Sequence, residues 1–73
     1  MRDYWINVFY SDEDECYIAD IPDLESCSAH GETAEEAVRE VNIAKQLWLE
    51  VAAETGRPIP KPFFRPALYQ GVA

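Results

Sequence analysis

Residues 30–37 read His-Gly-Glu-Thr-Ala-Glu-Glu-Ala, and two incompatible meanings fit those letters. His30 is the only histidine in the chain, and Glu32, Glu35 and Glu36 follow it closely, as a hydrolytic or metal site would require. The same letters also spell a helix start. Thr33 is a good N-cap, and Glu36 three residues later completes a capping box. Glu35 and Glu36 fall in the first turn, where the helix dipole favours negative charge. The following residues decide between the two. Ala34, Ala37, Val38, Val41, Ala44, Trp48, Val51 and Ala52 recur at helical spacing as one apolar stripe. Thr55-Gly56 and then Pro58 supply a C-terminal glycine and a proline stop. The pattern predicts a helix from Ala34 to Glu54, with His30-Gly31 as the turn feeding its cap. No chemistry is left over.

Upstream, Tyr4 to Tyr10 (YWINVFY) is aromatic and β-branched and reads as a strand, with neither face polar enough to sit comfortably in water. Asp12-Glu13-Asp14-Glu15 punctuates it, and Cys16 to Ile21 forms the second arm of a hairpin. Pro22-Asp23 turns the chain, and Ser26 to Ala29 reads as a short third strand. Downstream, four prolines between Pro58 and Pro66 exclude helix and central strand. Phe63, Phe64, Leu68 and Tyr69 are nonetheless apolar, which suits an extended segment with an edge strand near residues 63–68, or a polyproline arm docking on a neighbour. The domain reading is a core over residues 1–62 and an extended tail over 63–73.

A chain of 73 residues is one small domain that buries about 60–65% of its unfolded surface. Its core is correspondingly thin, so self-association is expected, or else a partner protein that covers the same surface. Ile43 and Leu47 point away from the main helical stripe and are rimmed by Glu36, Glu40, Glu50 and Glu54, which marks them as an oligomer contact. The net charge is −8, which argues against nucleic acid as a partner. Residues 1–37 hold eleven acids and one base; residues 38–73 hold three acids and five bases. The acidic half is either a surface for a basic protein or a solubilising face.

The remaining chemistry is thin. Cys16 and Cys27 lack CxxC spacing and companion histidines, so they read as free thiols in a reducing cytoplasm rather than a metal or redox site. No apolar run approaches the roughly 20 residues of a membrane span. Ser26 and Ser28 lie near His30, but a short strand and turn offer no enclosed pocket for a nucleophilic triad. The run from Asp12 to Glu15 lacks the glycine and distal glutamate of a calcium loop. With no glycine-rich phosphate loop either, the chain reads as non-enzymatic, without cofactor or metal.

In order, Tyr17, Ala19, Pro22-Asp23-Leu24, Cys27, Gly31, Thr33, Glu36-Ala37, Pro58 and Pro60 resemble the HicB-like antitoxin family, whose core reads YxAxxPDLxGCxxxGxTxxEA and ends in IPxP. The resemblance spans Tyr4 to Pro62. It implies a degenerate RNase-H-like β-β-β-α-β unit: an α+β fold with a three- or four-stranded antiparallel sheet and one long helix on one face. It also implies binding to a small basic HicA-like mRNA-cleaving toxin, for which Asp12, Glu13, Asp14, Glu15, Asp20, Asp23 and Glu25 are the expected contacts. The alternative is an orphan homo-oligomeric module with no toxin partner. Two departures stand out. Ser26 occupies the position of the family's glycine. Only residues 63–73 follow the core, too few for the DNA-binding domain of full-length members, so DNA binding does not carry over.

Overall fold

The computed structural model describes residues 3–64. Three strands, β1 (Asn7–Ser11), β2 (Cys16–Asp20) and β3 (Ser28–Gly31), precede a single helix, α1 (Ala34–Thr55). The strands form one antiparallel meander in the order β1-β2-β3. The α+β architecture with a long helix on one sheet face is therefore as expected. No fourth strand occurs among the described residues, and most of the 63–68 segment lies outside them.

Strand boundaries shift for identifiable reasons. β1 begins at Asn7 rather than Tyr4, because β2 ends opposite it at Asp20 and the chain then turns at Pro22. Tyr4, Trp5 and Ile6 precede the β1–β2 ladder. β3 begins at Ser28 rather than Ser26, because residues 21–27 form two successive tight turns. The Leu24 N–H donates to the Ile21 carbonyl at 3.1 Å and the Cys27 N–H to the Leu24 carbonyl at 3.2 Å. His30 and Gly31 are then strand, and the turn into the helix falls on Glu32 and Thr33.

Ser26 adopts φ 59°, the left-handed region that glycine enters freely and other residues enter at a cost of roughly 1–2 kcal/mol. The departure from the family's glycine at this position therefore carries strain. Ser26→Gly is expected to stabilise the fold by about 0.5–1 kcal/mol once glycine's extra unfolded-state entropy is subtracted. In a thermal melt this is a rise of roughly 3–6 °C. An unchanged or lower Tm would mean that the turn bears no such cost.

The helix start is built as the sequence implies. Thr33 Oγ1 accepts from the Glu36 N–H at 3.0 Å, and Glu36 Oε1 accepts from the N–H of Glu32, one residue before the cap, at 2.9 Å. Gly56 ends the helix at φ 73°, and the Arg57 N–H closes the cap on the Ala52 carbonyl at 2.8 Å.

The core is Ala19, Ile21, Leu24, Cys27, Ala37 and Val41, with Tyr4, Ile6, Tyr17, Ala29, Ala44 and Trp48 packed around it. Small residues dominate where α1 meets the sheet. A Cβ on Gly31 would stand 2.6 Å from the Ala37 nitrogen and 2.8 Å from Glu36 Cβ, so helix and strand touch through backbone. At 1.5 Å per residue the 22-residue helix is about 33 Å long, while strands of four or five residues reach only about 13–17 Å. The helix overhangs the sheet and lies over the loop joining β2 to β3. Trp48 fastens it there: its indole N–H donates to the Glu25 carbonyl at 2.9 Å. Arg57 stacks over the indole at 5.1 Å and pairs with Glu25 at 3.4 Å. One expectation is corrected here. Val51, counted in the apolar stripe, is 53% exposed, because it shares the outward side of the helix with Ile43 and Leu47, while Ala52 in the same turn is buried. Ala34, at the rim of the cap, is exposed as well.

Candidate functional site

The seven acids expected at a partner contact separate into two groups. Asp12, Glu13, Asp14 and Glu15 form the four-residue turn between β1 and β2, and all four are exposed. Ser11 shapes that turn by donating to Asp14 Oδ2 at 3.1 Å and accepting from the Asp14 N–H at 3.2 Å. Glu15 closes it at φ 53°. The other three lie at the far end of β2 (Asp20) and in the loop beyond it (Asp23 and Glu25), about 13 Å or more away across the rise of that strand.

Two of those three are engaged within the fold. The Asp23 carboxylate accepts from the Phe63 N–H at 2.9 Å and from the Phe64 N–H at 3.0 Å. Together with the Tyr4 hydroxyl, which donates to the Pro60 carbonyl, it holds the proline-rich segment against the end of the sheet. Glu25 is paired with Arg57. Asp20 is half-buried at the end of β2, opposite Asn7 and Ser28. The freely presented acidic surface is therefore the β1–β2 turn.

His30 lies in β3 and is exposed. Its register partner is Ile18, which pairs in turn with Phe9, so the three cross the outer sheet face in one row. Glu36 is taken up by the helix cap. Trp5 belongs to the same outer face, with its indole N–H donating to Asn7 Oδ1 at 3.1 Å. Sequence inspection did not single out this row as a surface, although the apolar character of both faces of the first strand was its signal.

Cys16 and Cys27 are both free thiols. Burial pushes the Cys27 thiol above its usual pKa, only partly opposed by Lys45, so it stays protonated and unreactive. Among the described residues no cluster of His, Cys, Asp and Glu is arranged to hold a metal ion, and no helix is long and apolar enough to cross a membrane.

On the helix, Ile43 and Leu47 are 52% and 59% exposed, as their position off the main stripe implies. With Val51 they form a ridge at i, i+4 and i+8. The ridge borders a groove whose opposite wall is β3, at Ser28, Ala29 and His30, with Glu36 and Glu40 at its rim.

The motif order runs through this framework without a break, and a family model for the HicB_like antitoxin of bacterial toxin-antitoxin systems matches residues 4–67. The chain belongs to the HicB-like antitoxin family. That membership gives it a general place in toxin–antitoxin systems. A similar chain is the UPF0150 protein ssl0259 of Synechocystis sp. (strain ATCC 27184 / PCC 6803 / Kazusa). It is 42% identical over 53 residues, which cover 73% of each chain. No solved structure matches. Within this HicB-like fold the family motif has clear physical work. Leu24 of the PDL turn fills the core and Asp23 anchors the tail. Gly31 admits the helix, and Thr33 with Glu36 starts it.

Proposed function

We propose that this chain is an antitoxin module that binds and neutralises a small basic HicA-like mRNA-cleaving toxin. Family membership carries the reading, and the excess of acids in residues 1–37 supports it, because opposite charge speeds encounter and fixes orientation. Asp12, Glu13, Asp14 and Glu15 make the main electrostatic contact. Asp20 and the outward sides of Asp23 and Glu25 supply a second patch at the other end of β2. Within this reading the protein acts by covering its partner, in the cytoplasm, with no cofactor and no reaction of its own.

A second reading has an observation behind it. The exposed ridge at Ile43 and Leu47 fits a homo-oligomer, and an orphan module of that kind needs no toxin.

A tagged chain recovered from its own cells at low salt separates the two. The antitoxin reading expects a small basic protein in near-stoichiometric amount, identified by mass spectrometry. Its association should slow roughly tenfold or more when Asp12, Glu13 and Asp14 are all changed to lysine, and weaken as salt rises. Recovery of copies of the chain alone, across growth conditions, would sink the toxin reading and leave the orphan one.

A further inference from the structure

We infer that the basic partner docks on the outer face of the sheet, over the row Phe9–Ile18–His30, and grips the acids that stand at its two ends. The inference rests on the antitoxin reading and names the surface that does the binding.

Alternation along the strands fixes what this face presents. Tyr17 and Ala19 turn inward to the core, so Cys16, Ile18 and Asp20 turn outward on β2. The register then puts Asn7, Phe9 and Ser11 of β1 on the same side, with Ser28 and His30 of β3. Phe9 is 50% exposed. His30 is exposed too, and Ile18 is half-buried between them. The helix is spent on the opposite face, and among the described residues no other element is left to cover this one.

Charge brackets the row. Ser11, at one end of the face, donates to Asp14 Oδ2 at 3.1 Å, which brings that carboxylate to the outer side. Asp20 stands at the other end, four residues along β2 from Cys16, or about 13 Å. No lysine or arginine occurs between Asp3 and Val38, so the sheet holds nothing that would repel a cation. The complement of this face is a basic protein that carries apolar side chains between two groups of lysine or arginine. A nucleic acid would be repelled by the same carboxylates.

The groove beside Ile43 and Leu47 also has acids at its rim, but Glu36 there is already held by the helix cap. The outer face runs directly from one acid group to the other, whereas α1 lies across the inner face between them. Size favours a partner that spans the whole face. Three strands of about five residues make a surface roughly 15 Å by 17 Å in projection. That is about a third of the 800 Å² that each side of a stable complex contributes. The remainder has to come from the acidic turn and loop at the two ends.

The two kinds of contact do different work. The acids steer the encounter and set its rate and salt dependence. The apolar row, once dry, sets how long the complex lasts.

The probe is the small basic protein recovered with the tagged chain, purified separately and bound to the full chain in surface plasmon resonance. Circular dichroism checks the folding of each variant. Phe9→Thr with Ile18→Thr keeps strand preference and net charge while removing the apolar surface. The double variant should raise the dissociation rate roughly thirtyfold, as loss of a central anchor does, and leave the association rate within about twofold. If it fails to fold, the single variants take its place, each expected to raise the dissociation rate roughly fivefold. Leu47→Ser, on the helix ridge, should change neither rate. Recovery of no basic protein would overturn the antitoxin reading and this inference together. A basic protein that binds, with a dissociation rate unmoved by the row variants, would overturn the inference alone and leave the reading standing. So would faster dissociation in Leu47→Ser only, which would place the partner in the groove beside the helix. A change in the sedimentation mass of the chain by itself in the double variant would make the row a contact between copies, and would overturn the inference as well.

Discussion

Gly31→Ala should remove a large share of the stability of this protein. The added methyl group would stand 2.6 Å from the Ala37 nitrogen and 2.9 Å from the Glu36 carbonyl carbon, both main-chain atoms of the first helical turn. A flexible side chain could swing aside, but these atoms cannot move without shifting the whole helix. The close approach of α1 to Ala19 and Ala29 would be lost with it. Overpacking of this kind costs about 3 kcal/mol, at the upper end of its usual range. Domains of this length hold about 4–11 kcal/mol in all. The urea midpoint, followed by tryptophan fluorescence, should fall by roughly 2 M. Gly56→Ala is the internal control. Nothing lies within 4 Å of a Cβ there, and only its φ of 73° opposes the change, at a cost of about 1 kcal/mol. Equal losses at the two glycines would refute the steric account of Gly31.

Leu24→Ala should cost about as much by the opposite route. Leu24 is 1% exposed although it sits in a loop, between two tight turns that fix its position. Truncation leaves a cavity among Ile21, Cys27 and Val41, which short backbone turns cannot collapse to fill. The expected loss is about 3 kcal/mol, read as a lower denaturation midpoint with an unchanged slope. A change below 1 kcal/mol would mean that the turns relax into the space, and that the core lies between sheet and helix alone.

The helix was the most legible element because its signals are local. Capping box, dipole acids, periodicity and C-terminal glycine all lie within the segment they describe, and its end was placed one residue short of Thr55. The strands were legible as elements but not in their limits. A strand ends where its partner ends, and the turn at Pro22 that limits β2 is remote in sequence from Tyr4, Trp5 and Ile6. The misassigned Val51 has a different cause. Periodicity fixes the centre of the buried stripe but not its width, and Val51 falls on the outward side with Ile43 and Leu47 while Ala52 is buried. Asp23 illustrates the limit set by remoteness in sequence for the acidic surface. Its charge was plain in the sequence, whereas its use as an acceptor for the Phe63 and Phe64 amides depends on a contact 40 residues away.

That contact has a consequence for the order of assembly. Each strand pairs with its neighbour in sequence, and α1 follows directly on the strand it packs against most closely. All these elements can come together by closing short loops, which is entropically cheap and fast. The bonds from Pro60 to Tyr4 and from Phe63 to Asp23 close loops of 56 and 40 residues, and they require the end of the sheet to exist before there is anything to grip. The proline-rich segment is therefore the last part of the described chain to dock and the first to release, a latch fitted onto a finished sheet and helix.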